Sequence, residues 1–577
     1  MKLAVCMAAL LSLGATLCAA SDEKEIVLKM VETSDVHGSY FPYDFIRNRP
    51  LKGGLASVSS YVNELREEYG DRLLLMDNGD ILQGQPVAYY YNYIDTTSVH
   101  VNAAILNYMK YDVGTVGNHD IETGHAVYDR WIRQCNFPIL GANVIDVNTG
   151  KPYLPPYKVF EREGVKVVVL GMITPGVPSW LPENLWSGLS FEDMETCARK
   201  WVEIIQRDEK PDVLVGLFHA GPESNKLDGI IENGSGEVAC NVPGFDVIFM
   251  GHDHVKRCEK IVNAVGDSVL IIDPSNAARL VSDVTVRLKV KDGKIASKSL
   301  EGNLVDMTQY AADEKFMEEF KSQYEATLQF VSRKIGSIDH TISSKDAFFG
   351  PSAFIDLIHQ LQLDITGADI SFCAPLSATA EIKEGDIYMS DMFSLYKFEN
   401  LLYTMELTGK EIKDFLEMSY TLWTNRMESA DDHLLLLNDE PDHFGWFKNP
   451  SFNFDSAAGI LYTVDVTKPQ GEKIVISGMA DGTPFSLDKR YKVAVNSYRG
   501  NGGGDLLTKG AGIPKSELSK RILFSTEKDL RYYLMECIEK AGILKPEPLN
   551  HWKFIPEDWA AEAAVRDSVL IFGENNK

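Results

Sequence analysis

Asn118, His119 and Asp120 stand side by side in TVGNHD, residues 115–120, directly after a short apolar run. An amide, an imidazole and a carboxylate together suit a strand-to-helix turn, and they equally suit metal ligation and proton transfer. The same arrangement recurs along the first half of the chain. IVLKMV leads to Asp35, Val36, His37 and Gly38, and LLLM leads to Asp77, Asn78, Gly79 and Asp80. VLVGLF leads to His219, Ala220 and Gly221, and VIFM leads to Gly251, His252, Asp253 and His254. Each polar cluster falls at the C-terminal end of a strand-like run, where open sheets place their ligands. Asp35, His37, Asp80, Asn118, His119, His219, His252 and His254 make eight metal-competent groups. One ion that keeps a position open for water and substrate cannot use them all, so two divalent ions are implied. A carboxylate that bridges two cations about 3.5 to 4 Å apart sets up a hydroxide for in-line attack on phosphorus. The cations neutralise charge as the transition state forms.

The elements that must carry these groups alternate. From residue 26 to about 300, short β-rich runs alternate with longer amphipathic stretches, which reads as an α/β or layered mixed architecture. Residues 313–335 place Phe316, Phe320, Tyr324, Leu328 and Val331 at helical spacing, which reads as a connecting helix. The α/β pattern restarts beyond it, and a tail with Trp552 and Trp559 is expected to pack on the body. The domains expected are 21–310, a connector 311–339, a second and smaller domain 340–545 and a tail 546–577. No internal repeat or low-complexity segment interrupts them.

With 577 residues and 45% hydrophobic content, the chain can bury more than one core. Its formal net charge of −26 argues against a nucleic-acid polymer as partner, since phosphate neutralisation needs clustered Lys and Arg. An anionic substrate would therefore need local positive charge, such as metal ions. Residues 1–20, with Lys2, an apolar run to Leu17 and small residues up to Ala20, read as a secretory signal peptide. A lipid-modified Cys18 is the alternative, and no later segment is apolar and long enough to span a bilayer. Export permits disulfides; Cys240 with Cys258 would close a short loop, and six buried thiols are the other reading.

The order D-x-H-G, G-D, G-N-H-D, H-x-G, G-H-x-H resembles the calcineurin-like metallophosphoesterases. With its second domain, the chain resembles the exported 5′-nucleotidase and 2′,3′-cyclic-nucleotide phosphodiesterase/3′-nucleotidase family over nearly all of the mature sequence. The resemblance implies an α-β-β-α sandwich joined by a helix to a smaller α/β substrate-binding domain. It implies a first metal on Asp35, His37, Asp80 and His254, and a second on Asp80, Asn118, His219 and His252, with Asp80 bridging. His119 would face the substrate, partnered by Glu122 where relatives commonly have Asp, while Asp120 would serve structure.

The same resemblance places Phe398 and Asn400 of YKFENLL, and Tyr498 of NSYRGNGGG, around the base. Rings on both faces of a base contribute about 1 to 3 kcal/mol per stack. Many 5′-nucleotidases carry N-x-G-G-x-R after AD[IV]; this chain reads ADISFCAPLSATAEIKEGDI, with no arginine. Arg499 is then the candidate phosphate contact, and the pattern is nearer to the cyclic-phosphodiesterase branch. The expectation is an exported nucleotide phosphoesterase with two ions from Zn, Mn, Fe or Co. The alternatives are a 5′-nucleotidase or nucleotide-sugar hydrolase, a sulfur-oxidation hydrolase of this fold, and a non-catalytic nucleotide-binding or surface-interaction protein.

Overall fold

The computed structural model describes residues 23–224, 226–227, 229–291, 294–442 and 445–573; the expected leader, with Cys18, lies outside the described residues. Two six-stranded sheets build the first half. One runs in the order Lys294–Asp306, Leu280–Lys291, Glu23–Thr33, Leu73–Asp77, Val113–Thr115, Ile139–Leu140. The other runs Lys256–Val262, Ser268–Pro274, Val247–Met250, Val213–His219, Val165–Ile173, Tyr157–Arg162. In the first sheet the run from Glu23–Thr33 to Ile139–Leu140 is parallel and the two strands Leu280–Lys291 and Lys294–Asp306 are antiparallel to their neighbours; in the second only the two edge pairs are antiparallel, so the ligand-bearing strands point the same way within each sheet.

Side chains alternate across a strand, and here the two alternating sets serve two different cores. Leu28, Met30, Leu74, Met76, Val167, Val169, Val215 and Leu217 meet between the sheets. Their neighbours Val31, Leu73 and Leu75 face helices on one side, and Val168, Leu170, Leu214 and Phe218 face the helix Met194–Asp208 on the other. This is the α-β-β-α layering. Strands buried on both faces explain why IVLKMV, LLLM, VLVGLF and VIFM read as near-continuous apolar runs.

The second half holds a mixed five-stranded sheet, ordered Ser456–Ala458, Ile370–Cys373, Arg490–Asn496, Leu401–Thr408, Ile522–Asp529. The helix Gly409–Trp423 covers one face. It begins at a capping box: Thr408 Oγ1 accepts from Glu411 N at 3.2 Å and Glu411 Oε2 accepts from Thr408 N at 2.7 Å. Such a cap contributes about 1 kcal/mol. It starts the helix that delivers Phe415, Tyr420 and Trp423 to the core. Helices Ala353–Thr366 and Leu530–Ala541 cover the other face.

Three expectations need correction. The connector is two helices, Glu314–Glu319 and Lys321–Val331, broken at Phe320, whose backbone (φ −101°, ψ 17°) leaves the helical region. Phe316, Phe320 and Val331 are buried against the first domain, so side-chain packing bends the helix at the very residue the periodicity joined. The tail packs on the body as expected, but as part of the second domain and not as a separate segment after residue 545. Trp552–Ile555 pairs parallel with Ile460–Asp465, Trp552 is buried among Tyr420, Trp423 and Phe554, and Trp559 packs on the same core. The six described cysteines are free, with Cys240 and Cys258 exposed and Cys197 and Cys373 buried.

The domains are pinned to each other near the first strand ends. Tyr89 packs into the second domain's core and donates to Asp529 Oδ2 at 3.0 Å, while the Arg531 guanidinium lies 4.9 Å over its ring.

Candidate active site

The expected ligands lie at or just beyond five strand ends, and their backbones pay a conformational cost to be there. Asp35, His37, Asp80, His252 and His254 all have positive φ, between 48° and 78°. For side chains other than glycine that region costs on the order of 1 to 3 kcal/mol per residue, so neighbours must enforce it. Asp35 N donates to Gly79 O and His37 N to Asp80 O, each at 3.0 Å, and Ala277 N donates to Asp35 O at 2.8 Å. Asp120 ties the next pair of loops. Its carboxylate accepts from Gly117 N at 2.8 Å and from Asp80, Ile81 and Leu82 N at 2.9 Å. Gly117 is required by close approach, since a Cβ there would lie 2.1 Å from Asp80 Oδ1.

The side chains form two groups. Asp35, His37 and His254 offer ligand atoms within 4.8 Å of one another, and so do Asp80, His219 and His252. In the first group His37 Nε2 and His254 Nε2 are 3.1 Å apart, and His254 Nε2 is 3.2 Å from Asp35 Oδ1. In the second, His219 Nε2 lies 3.2 Å from Asp80 Oδ2 and 3.2 Å from Asn118 Oδ1. A tetrahedral ion with bonds of about 2.05 Å spaces its ligands about 3.3 Å apart, so the donor set and its spacing fit divalent ions. The remaining ring nitrogens are occupied. His37 Nδ1 donates to Gln83 O at 3.3 Å and His219 Nδ1 to Asn78 O at 2.7 Å, which leaves each Nε2 free as a ligand.

The electrostatics favour cations. Burial opposes ionisation of Asp35 and Asp80, yet the imidazoles, His219 foremost, hold both carboxyls below their ordinary range. Burial likewise opposes charge on His219, but Asp80 and Asp35 outweigh it and push its pKa up to about 10. A proton on His219 thus occupies a place that a metal would take, and metal binding would release it.

His119 stands apart from both groups. Its Nδ1 is 2.5 Å from Glu122 Oε2, and its N–H donates to Asp80 Oδ1 at 2.8 Å. Burial lowers its pKa, but Asp80 and Glu122 outweigh burial and push it up to about 9.

A cavity of about 500 Å³ opens between the domains, lined by Asn118, His119, Glu122 and His252 on one side and Phe398, Asn400 and Tyr498 on the other. The expected base-binding residues are thus brought to the ligand cluster. Tyr498 is only partly exposed, and its ring fits because Gly503 lacks a Cβ, which would fall 2.5 Å from Tyr498 Cε2. Arg499 is corrected. At 1% exposure it cannot reach a phosphate; its guanidinium bonds Asp455 Oδ2 at 2.6 Å, Asn453 Oδ1 at 3.1 Å and Phe452 O at 2.8 Å. It braces the cavity wall that carries Phe452 and Asn453. Trp180, Glu232, Asn496 and Asp505 also line the cavity and were not anticipated; of these, Asn496 opens the quoted NSYRGNGGG and Asp505 follows it. Among the described lining residues there is no Lys or Arg.

Two family models match the chain: calcineurin-like phosphoesterase over residues 28–256, and the C-terminal domain of 5′-nucleotidase over residues 334–509. The chain is a metallophosphoesterase domain joined to a 5′-nucleotidase C-terminal domain. This two-domain phosphoesterase is 27% identical to the 2′,3′-cyclic-nucleotide 2′-phosphodiesterase/3′-nucleotidase of Haemophilus influenzae, over 93% of this chain and 89% of that one. It is 26% identical to the trifunctional nucleotide phosphoesterase YfkN of Bacillus subtilis over 92% of its own length, but spans only 39% of that protein. A crystal structure of a nucleotidase candidate from Staphylococcus aureus superposes with a TM-score of 0.77 at 22% identity, covering 92% of this chain and 100% of that one, which shows the shared fold.

If Asp80 serves both groups of this two-domain phosphoesterase, Asp80→Ala should release both ions while His37→Ala releases one. Elemental analysis of the purified variants checks this. Two ions retained by Asp80→Ala would remove the bridge.

Proposed function

We propose that the protein is an exported nucleotide phosphoesterase with two divalent ions, preferring 2′,3′-cyclic nucleotides and acting also on 3′-nucleotides. The observation that carries this reading is the cavity itself. The metal-competent groups stand at one side of it, Phe398 and Tyr498 at the other, and no described lining residue is a Lys or Arg. The cyclic-phosphodiesterase and nucleotidase relatives support the substrate class, and the leader-like residues 1–20 support export.

In this reading Asp35, His37, Asp80 and His254 hold the first ion, and Asp80, Asn118, His219 and His252 the second. When bound, the ions supply Lewis acidity and an activated water. Phe398 and Tyr498 would hold the base, with Asn400 at the cavity edge. Asn400 Nδ2 is already oriented, donating to Tyr396 Oη at 3.4 Å. His119 keeps its proton because Glu122 fixes the ring, and it gives that proton to the departing ribose oxygen. Glu122 then stabilises the ring as it reprotonates. A protein that only binds nucleotides needs neither the full ligand set nor this dyad.

The cavity's charge decides among phosphate positions. A 2′,3′-cyclic phosphate carries one negative charge and a 5′-monoester close to two. Two ions without an arginine clamp therefore give up more attraction for the monoester.

His119→Ala should lower kcat by about 10² to 10⁴ with metal content unchanged, since the ring meets substrate and not metal. Loss of one ion per chain would make His119 a ligand instead. With equal concentrations of cyclic and 5′ substrates in competition, kcat/KM should be higher for 2′,3′-cyclic nucleotides, with weak discrimination among bases. A clear preference for the 5′-monophosphate would reassign the enzyme as a 5′-nucleotidase.

A further inference from the structure

His252 differs from its fellow ligand candidates in what holds its second nitrogen. His37 and His219 give their Nδ1 protons to neutral main-chain carbonyls, and His254 Nδ1 lies 2.9 Å from the Asn276 amide. His252 Nε2 instead donates to a carboxylate, Glu232 Oε1, at 3.1 Å. The Glu232 side chain is about three-quarters covered, at 24% exposure, and it forms part of the cavity wall.

The backbone around Glu232 is anchored for this contact. Its carbonyl accepts from Thr174 Oγ1 at 2.8 Å, and the side chain of the next residue, Asn233, accepts from Gly221 N at 2.8 Å. Thr174 follows the strand Val165–Ile173 and Gly221 follows its neighbour Val213–His219, so the segment is clipped to two adjacent strand ends, one of which carries His219. The Trp180 ring, with its centroid 5.5 Å from that of His252 and tilted 39°, closes on the same imidazole. His252 is therefore set between a carboxylate and an indole.

We propose that Glu232 is a positioning residue for the second metal site, holding His252 with its proton on Nε2 so that the Nδ1 lone pair is the one offered beside Asp80 and His219. This rests on the two-ion reading above. A carboxylate partner fixes both tautomer and ring orientation and raises the ligand's basicity, which a carbonyl does more weakly. It also places a negative charge at the cavity wall next to that site, which favours a cation there.

The test compares wild type, Glu232→Gln and Glu232→Ala, each loaded with Mn²⁺ and dialysed against graded EDTA. Bound metal is read by elemental analysis, and folding by the melting temperature of the metal-free form. In Glu232→Ala one of the two ions should leave at about 10- to 100-fold lower chelator, with the other unmoved. Glu232→Gln, whose amide oxygen still accepts from Nε2 but carries no charge, should fall between it and wild type. Should the Ala variant fail to fold, the displaced release of one ion in Glu232→Gln carries the test. Both ions released at the wild-type midpoint, or both displaced together in a variant with the wild-type melting temperature, would overturn the assignment. A wild-type chain that holds fewer than two ions would overturn the two-ion reading and this inference with it.

Discussion

Two carboxylates with essentially no accessible surface, Asp35 and Asp80, sit where the central strands of both sheets end. An ionised carboxylate removed from water costs several kcal/mol unless positive charge meets it. Here the surrounding groups are arranged for that charge. Four imidazoles and an amide converge on the pair, and the loops that hold them accept positive φ at five ligand positions. The two sheets exist, in this sense, to deliver loop ends from opposite sides to one point. The parallel inner strands make that delivery possible, because their C-terminal ends share a side.

The second domain completes a site that the first half-builds. The sandwich supplies ligands and the His119–Glu122 dyad, yet offers only one wall of the cavity. The other wall comes from the turn that follows Arg490–Asn496 and from the segment around Phe398, so both domains must stay in register. Tyr89 and Arg531 hold that register at the interface. Arg499 does so within the wall, spending its charge on Asp455 and not on substrate. That leaves metal cations, beside the protonated His119 ring, as the positive charge a phosphate would meet there.

The cluster of metal-competent side chains was legible because few residue types bind metal and each followed a strand-like run. His219, His252 and His254 were expected beside Asp35 and Asp80 from their strand-end positions and the family resemblance, and the structure brings them together. The layered fold was legible for a similar reason, since strands buried on both faces leave continuous apolar runs. What escaped depends on distant packing. Phe320 looked like one more turn of helix, and only its burial against the sandwich bends the chain there. Arg499 read as a phosphate contact, and only Asp455, more than forty residues earlier, takes it inside. Glu232 and Trp180 carry no motif; their relation to His252 arises from loops that meet in space.

In the two-ion reading the two groups of ligand candidates hold two ions that share Asp80. Anomalous scattering from crystals grown with Mn²⁺ tests it most directly. Two peaks about 3.5 to 4 Å apart are expected, one among Asp35, His37 and His254 and one among Asn118, His219 and His252, with Asp80 between them. A single peak, or two peaks without Asp80 as a shared ligand, would contradict the account.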